Sequence, residues 1–281
     1  MTPDEGAALQ LAGAALAASS RARQPEQLKF LQIIFQNPDS ALNRSHTVRR
    51  LIERVLVRLG RVPKANRPSR LLDLIRSVRL DERHLELRPR ELSGGAKQRV
   101  AVARAFGGEP RIVVCDEPTS ALDVSVQSAI LNLLTELQAM HGVSYVFISH
   151  DLASVRYVSD RIAVLYRGRL LEIGPAERVF SGPHHPYTAA LLSAVPGGSG
   201  GSGERAGLGG ELPSAMRASG GCVFHTRCPR KLGPVCEERE PPLHPGAEPG
   251  HEIRCHIPVA DLPGNTHCVA SADAARGGPR A

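Results

Sequence analysis

Three short stretches of this chain carry the residue types that handle phosphate groups. In Leu92-Ser93-Gly94-Gly95-Ala96-Lys97-Gln98-Arg99, Ser93 is a good N-cap for a helix predicted to run through Arg104. Free backbone N–H groups and the helix dipole at such an end form an anion site, and two glycines let a phosphate approach the backbone closely. The aliphatic strand Ile112 to Cys115 delivers Asp116-Glu117-Pro118-Thr119-Ser120-Ala121-Leu122-Asp123. Two carboxylates at the end of a buried strand suit a metal and a water, whereas a solvated acidic turn would need no apolar run before it. A third, β-branched and aromatic strand, Ser144 to Ile148, ends at Ser149-His150-Asp151. Phosphoryl transfer to water requires a metal to neutralise phosphate, a group that orients the water and donors aimed at the transferred group. The three stretches offer all of these.

In this order the segments resemble the signature motif, Walker B motif, D-loop and switch histidine of the ATP-binding cassette (ABC) ATPases. The resemblance implies ATP and Mg²⁺ as ligands, Asp116 as a carboxylate that helps hold Mg²⁺, and Glu117 as the one that polarises the attacking water. It makes His150 a contact to the γ-phosphate. Gln36, in Phe35-Gln36-Asn37-Pro38, matches the Q-loop glutamine that reaches metal and water and couples the site to a membrane subunit. Ser93, Gly94 and Gly95, with Asp123 of the D-loop, are then nucleotide-site residues, the signature segment facing ATP held by a second ABC ATPase subunit in a homo- or heterodimer. Ala96 departs from the Gln or Glu more usual at its position; this weakens a side-chain contact and keeps the backbone donors.

Gly182-Pro183-His184-His185-Pro186-Tyr187-Thr188, followed by Ala189-Ala190-Leu191-Leu192 and Val195-Pro196, is similar to the His-Pro-Tyr-Thr segment of the oligopeptide/dipeptide/nickel importer ATPases. Gln36-Asn37-Pro38-Asp39-Ser40-Ala41-Leu42-Asn43 has the same character, and the resemblance runs from about residue 5 to 258. Members of that family sit peripherally on the cytoplasmic face of the membrane, bind transmembrane permease subunits, and drive uptake of peptides delivered by an extracytoplasmic solute-binding protein. Nucleic acid is not an expected partner. A non-transport ABC ATPase is the weaker reading, because the His-Pro-Tyr-Thr segment argues against it.

Cys222, Cys228, Cys236 and Cys255 fall within residues 221–258. Their spacing resembles a cysteine cluster in the C-terminal extension of these ATPases, where some members hold a [4Fe-4S] cluster. Four thiolates suit such a cluster or structural zinc equally. With no Cys-x-x-Cys pair, free structural thiols are the third reading. Cys115 reads as a small buried hydrophobe beside the Asp116-Glu117 pair.

The elements that position these residues alternate between helix and strand. Leu28 to Phe35 suits a strand. Val48, Leu51, Ile52, Val55, Leu56 and Leu59 recur at helical spacing in an Arg- and Leu-rich insert, and Val126, Ile130, Leu133, Leu134, Leu137 and Met140 mark one face of another helix. Arg167-Gly168 between two short strands reads as a hairpin. The expected fold is α/β: a P-loop NTPase-like ABC nucleotide-binding domain over residues 1–196, with a mainly parallel sheet and a helical subdomain at about 46–105. A Gly/Ser-rich linker at 197–220, the Cys-containing extension at 221–258 and a disordered tail at 259–281 follow.

No Gly-x-x-x-x-Gly-Lys-Ser/Thr occurs in the 281 residues, although the resemblance places such a Walker A loop before the Q-loop. The domain is therefore expected to be N-terminally truncated: a start assigned too far downstream, a truncated gene, or a genuine half-cassette with a non-catalytic or regulatory role. The 35 Lys+Arg against 28 Asp+Glu give +7, which suits nucleic acid or an anionic membrane surface, but the arginines lie in no single tract and the charge alone decides nothing. No apolar run approaches the ~20 residues of a spanning helix. The acidic flank Thr2-Pro3-Asp4-Glu5 argues against a signal peptide at Ala7 to Ala18.

Overall fold

The computed structural model describes residues 10–11, 13–17, 19–194, 220–246 and 248–264. The expected linker, apart from Gly220, lies outside them, as do Cys268 and residues 265–281. The chain forms two compact units, Met1–Ser154 and Val155–Ala281.

The first unit begins with a two-residue-strand hairpin, β1 (Gln10–Leu11) and β2 (Ala14–Ala15), then α1 (Pro25–Phe30), β3 (Leu31–Ile34) and α2 (Pro38–Ala41). The expected strand from Leu28 thus starts three residues late. Pro25 at the first helical turn and the Gln24 N–H donating to Gln27 Oε1 at 3.1 Å start a helix that takes Leu28 to Phe30. The helical insert follows as α3 (Val48–Arg58) and α4 (Arg67–Ser77). Thr47 caps α3 through its hydroxyl, and Val48, Leu51, Ile52 and Leu56 are buried against Leu71, Leu74 and Ile75 of α4.

Helix α5 (Gly94–Phe106), strand β4 (Ile112–Asp116), helix α6 (Val124–His141) and strand β5 (Ser144–Ile148) complete the unit, and α7 (Leu152–Val158) leads out of it. Strands β3, β4 and β5 form a parallel sheet with β4 central; Ile34 pairs with Cys115, and Cys115 with Phe147. Ile34, Val113 and Cys115 join a core with Ala103 and Phe106 of α5 and Ile130, Leu133, Leu134 and Leu137 of α6. Met140 does not belong to that face: it is exposed, and Leu131 is buried instead. Burial pushes the Cys115 thiol up to about 12, so it is a neutral hydrophobe at any physiological pH. The other sheet face leaves Ile33, Val146 and Ile148 exposed.

In the second unit β6 (Arg161–Tyr166) and β7 (Arg169–Pro175) form the expected hairpin, with Arg167 at φ 49° and Gly168 at φ 78°. Two successive positive φ angles match the twist of a two-residue hairpin turn. Then come α8 (Ala176–Ser181), α9 (Pro186–Ser193), α10 (Pro234–Glu238), β8 (Leu243–Pro245) and β9 (Glu252–Arg254). The C-terminal extension is not separate from the hairpin. Its β9 pairs antiparallel with β7, giving the order β6-β7-β9-β8. Order also reaches past residue 258: Leu262 is buried with Ile253 and Ile257, so the first residues assigned to a loose tail are packed.

Candidate functional site

Because the three strands of the first sheet are parallel, the segments that follow them emerge at one edge, the place where open α/β sheets bind ligands. Gln36 follows β3, Glu117 follows β4 and His150 follows β5. Gln36 Nε2 donates to Glu117 Oε2 at 2.8 Å, and His150 Nδ1 lies 3.0 Å from Glu117 Oε1. Both carboxylate oxygens are therefore engaged, one from each neighbouring strand. Glu117 has φ 44°, in the left-handed region that non-glycine residues seldom occupy, and its N–H donates to Ile148 O at 2.9 Å. Backbone strain of this kind concentrates at functional positions, and here it accompanies the turn in which Glu117 faces Gln36 and His150. Asp116, half-buried, ends β4 beside it.

Two residues that sequence reasoning passed over support this turn. Ser120 Oγ donates to Glu117 O at 3.1 Å and accepts from Gln36 Nε2 at 3.3 Å. Gln127 on the first turns of α6 reaches back, its Nε2 donating to Thr119 O at 3.0 Å and Leu122 O at 2.9 Å. Only the proximity of Ser120 to the carboxylate pair could have marked it in the sequence; Gln127 carries no such signal. Asp123 is exposed and N-terminal to α6, with no side-chain capping bond. His150 is exposed, and Asp151 after it caps α7 through the N–H groups of Ala153 and Ser154 and the Ser154 hydroxyl. That hydroxyl bond, foremost, holds the Asp151 carboxyl below its usual range.

Ser93 is the N-cap of α5, its Oγ accepting from Ala96 N–H at 3.3 Å. Among the described residues no hydrogen bond joins Ser93, Gly94, Gly95 or Asp123 to the Gln36–Glu117–His150 cluster. Gly95 has a packing reason besides a phosphate one: a Cβ there would lie 2.8 Å from Val126 Cγ1. Lys97 Nζ reaches Asp39 at 3.1 Å and so clasps α2 to α5 just beyond Gln36.

In the second unit the four expected cysteines are free thiols; Cys222, Cys236 and Cys255 are buried and Cys228 half-buried. Cys222 N–H donates to Cys236 O at 2.9 Å, and Cys228 packs on the cluster of Tyr166, Leu171, Cys222 and Phe224. Burial raises the thiols of Cys222, Cys228 and Cys255, the last to about 11, and the neighbouring cysteines raise each of them further. They share a neighbourhood. Among the described residues, however, no three Cys, His, Asp or Glu side chains close on one point as metal ligands do.

A parallel α/β sheet with a glutamine, a carboxylate pair and a histidine at its C-terminal edge, beside a glycine-started helix, is an arrangement of the ABC cassette class. Residues 1–120 match the family model described as ABC transporter, and residues 171–236 match that of the oligopeptide/dipeptide transporter, C-terminal region. The chain is 41% identical over 82% of its length to the oligopeptide transport ATP-binding protein AppF of Bacillus subtilis, covering 70% of that protein. It is 43% identical over 76% of its length to the dipeptide transport ATP-binding protein DppF of Escherichia coli, covering 64% of that protein. It thus spans about two thirds of the length of such relatives. Among solved structures, cbiO1 from Clostridium perfringens, part of the ABC transporter complex cbiONQ, matches 61% of this chain with TM-score 0.55 and 26% identity, and 66% of that chain is covered. The chain belongs to the ATP-binding proteins of the oligopeptide/dipeptide ABC transporter family, whose cassette fold implies ATP and Mg²⁺ as ligands.

Proposed function

We propose that this chain supplies the hydrolytic edge of an ATPase subunit that powers peptide import. The observation that carries the reading is the bracketing of Glu117 by Gln36 and His150 from the two flanking strands. In this role Glu117 orients the attacking water, Gln36 holds Glu117 and reports on the site's occupancy, and His150 meets the transferred phosphoryl group. Asp116 would hold Mg²⁺, which neutralises charge on the phosphates. Ser93, Gly94 and Gly95 at the start of α5 present backbone donors to ATP on a second cassette, with Asp123 at the same dimer face. The partners are then a second ATPase subunit, transmembrane permease subunits and, through them, an extracytoplasmic solute-binding protein; the location is the cytoplasmic face of the membrane.

The experiment is MgATP turnover in two forms, the 281 residues alone and the same residues joined behind a strand, Walker A loop and helix of the P-loop type. Since the residues themselves contain no amide cradle and lysine for the β- and γ-phosphates, turnover is expected only in the joined form. Equal turnover in both forms, or none in either, overturns the reading.

The thiol group fits a thiolate-bound centre by donor type. Against the burial that raises all three thiols, the nearby backbone N–H groups of Phe224 and His225 act to lower Cys222, that of Arg230 to lower Cys228 and that of Ile257 to lower Cys255. Such donors favour the thiolate, the form that binds metal. We propose, on donor type and shared neighbourhood alone, that Cys222, Cys228, Cys236 and Cys255 hold one structural centre, iron–sulfur or zinc, tying α10 and the end of β9 together; since among the described residues they do not converge on one point, binding would require these side chains to close together. Anaerobically purified protein is expected to contain either iron with sulfide or about one zinc per chain, lost in a Cys222→Ala/Cys255→Ala variant. Metal analysis finding neither rejects the assignment.

A further inference from the structure

The basic excess of this chain has a location. Residues 46–92 hold 13 Lys+Arg and 6 Asp+Glu, a net excess equal to the +7 of the whole molecule. Dispersed in sequence, these charges are sorted by the fold into two groups. Arg49, Arg76, Arg79 and Arg83 pair with Glu86, Glu82, Glu136 and Asp81. Arg50, Arg54 and Arg58 do not. They sit at successive i, i+4 positions of α3, all exposed, with no ion pair among the described residues, and exposed Lys64 follows beyond the helix.

At 1.5 Å per residue the three arginines mark a line of roughly 12 Å along the helix. The opposite face of α3 is buried in the insert, so the line points to solvent by construction. The helix's one acidic residue, Glu53, forms no ion pair with them. Burial first, and then the charges of Arg50 and Arg54, hold the His46 imidazole below its ordinary value. Val57 is exposed between the arginines. The line contains no aromatic ring for base stacking and no Asn or Gln to read a base edge, so it lacks the features of a nucleic-acid reader.

We propose that the Arg50–Arg54–Arg58 face of α3 docks on anionic phospholipid headgroups. The proposal rests on the reading that the subunit works at the cytoplasmic membrane face, where the leaflet carries negative charge. It goes beyond that reading by giving the cassette its own lipid contact, independent of the permease. An arginine line that flanks one apolar side chain fits a headgroup layer: guanidinium groups pair with phosphates bidentately while Val57 meets the acyl boundary.

The test is co-sedimentation of the 281-residue chain with permease-free vesicles of phosphatidylcholine alone or with about one third phosphatidylglycerol, near physiological ionic strength. Binding is expected to the anionic vesicles only and to weaken as salt rises. Arg50→Gln/Arg54→Gln/Arg58→Gln should reduce the partition coefficient roughly 100-fold, since each basic residue near such a surface contributes on the order of a factor of five. Arg76→Gln/Arg79→Gln/Arg83→Gln, which removes the same charge from paired positions, should reduce it less than about fivefold. A circular-dichroism melt checks that both variants fold. Equal loss in the two variants, equal binding to neutral vesicles, or capture of duplex DNA by the stripe without vesicle binding overturns the proposal. MgATP turnover of the Walker A-joined form is measured separately, so failure of the ATPase reading and failure of lipid docking are told apart.

Discussion

Glu117→Gln in the Walker A-joined form is expected to lower MgATP turnover about 10³-fold while leaving ATP-dependent dimerisation in place. The carboxylate is engaged at one oxygen by Gln36 Nε2 and at the other by His150 Nδ1. A glutamine in its place has one acceptor and one NH₂ group. Its oxygen can still accept from Gln36 Nε2 and its NH₂ can donate to His150 Nδ1 in the tautomer that leaves this nitrogen unprotonated, so the bracket can persist while the proposed base is lost. Gln36→Ala and His150→Ala each remove one side of the bracket and should cost less, about 10- to 100-fold. Neither should add to the Glu117→Gln defect, because residues that act as a unit are not additive. Single-turnover kinetics with a nucleotide-dependent size-exclusion assay separate chemistry from association. Near-normal turnover in Glu117→Gln would refute the assignment.

What the sequence made legible follows the range of the interactions involved. The apolar run before Asp116 and the strand before His150 are local patterns, and the parallel sheet follows from alternating them with helices. The joining of Gln36, Glu117 and His150 could be read only through order along the chain, since their hydrogen bonds span 81 and 33 residues. The positive φ of Glu117 has no sequence signal at all, because nothing in a glutamate announces it. Leu28 to Phe30 misled because three apolar or long side chains fit either element, and the decision was made by Pro25 and the Gln24–Gln27 cap upstream. The addition of β9 to the β6–β7 hairpin was hidden for a related reason: Glu252 and Ile253 pair with residues about eighty positions earlier, across a glycine-rich stretch that reads as a boundary. Single-sequence periodicity identifies strands and is silent on which of them pair.

The same limit concealed the buried carboxylate of the second unit, and its removal is the largest stability effect we expect. Glu172 on β7 is fully buried. Its Oε2 accepts the His185 N–H at 2.8 Å, its Oε1 lies 2.9 Å from His251 Nε2, and His184 Nδ1 stands 4.0 Å from Oε1. The His251 ring has no room to move, for a Cβ on Gly174 or on Gly246 would come within 2.7 Å of it. Glu172 thus joins β7, the His-Pro-Tyr-Thr segment and the β8–β9 extension at one point. Glu172→Ala leaves a buried imidazole and a buried N–H without a partner and should destabilise the unit by about 3–5 kcal/mol. Glu172→Gln retains one acceptor and should lose roughly 1–3 kcal/mol. Acid should act in the same direction through His185, whose Nδ1 accepts the Tyr187 N–H at 3.0 Å and which burial holds down to about 4. An unfolded chain binds that proton near pH 6.5, so stability is full above about 6.5 and is lost as pH falls towards 4. Urea unfolding can be followed by tyrosine fluorescence, since Tyr166 and Tyr187 pack on Phe224 in this unit and the chain has no Trp. At pH 7 a loss below about 1 kcal/mol in Glu172→Ala would mean that the carboxylate is solvated and that the node does not hold the extension to the hairpin.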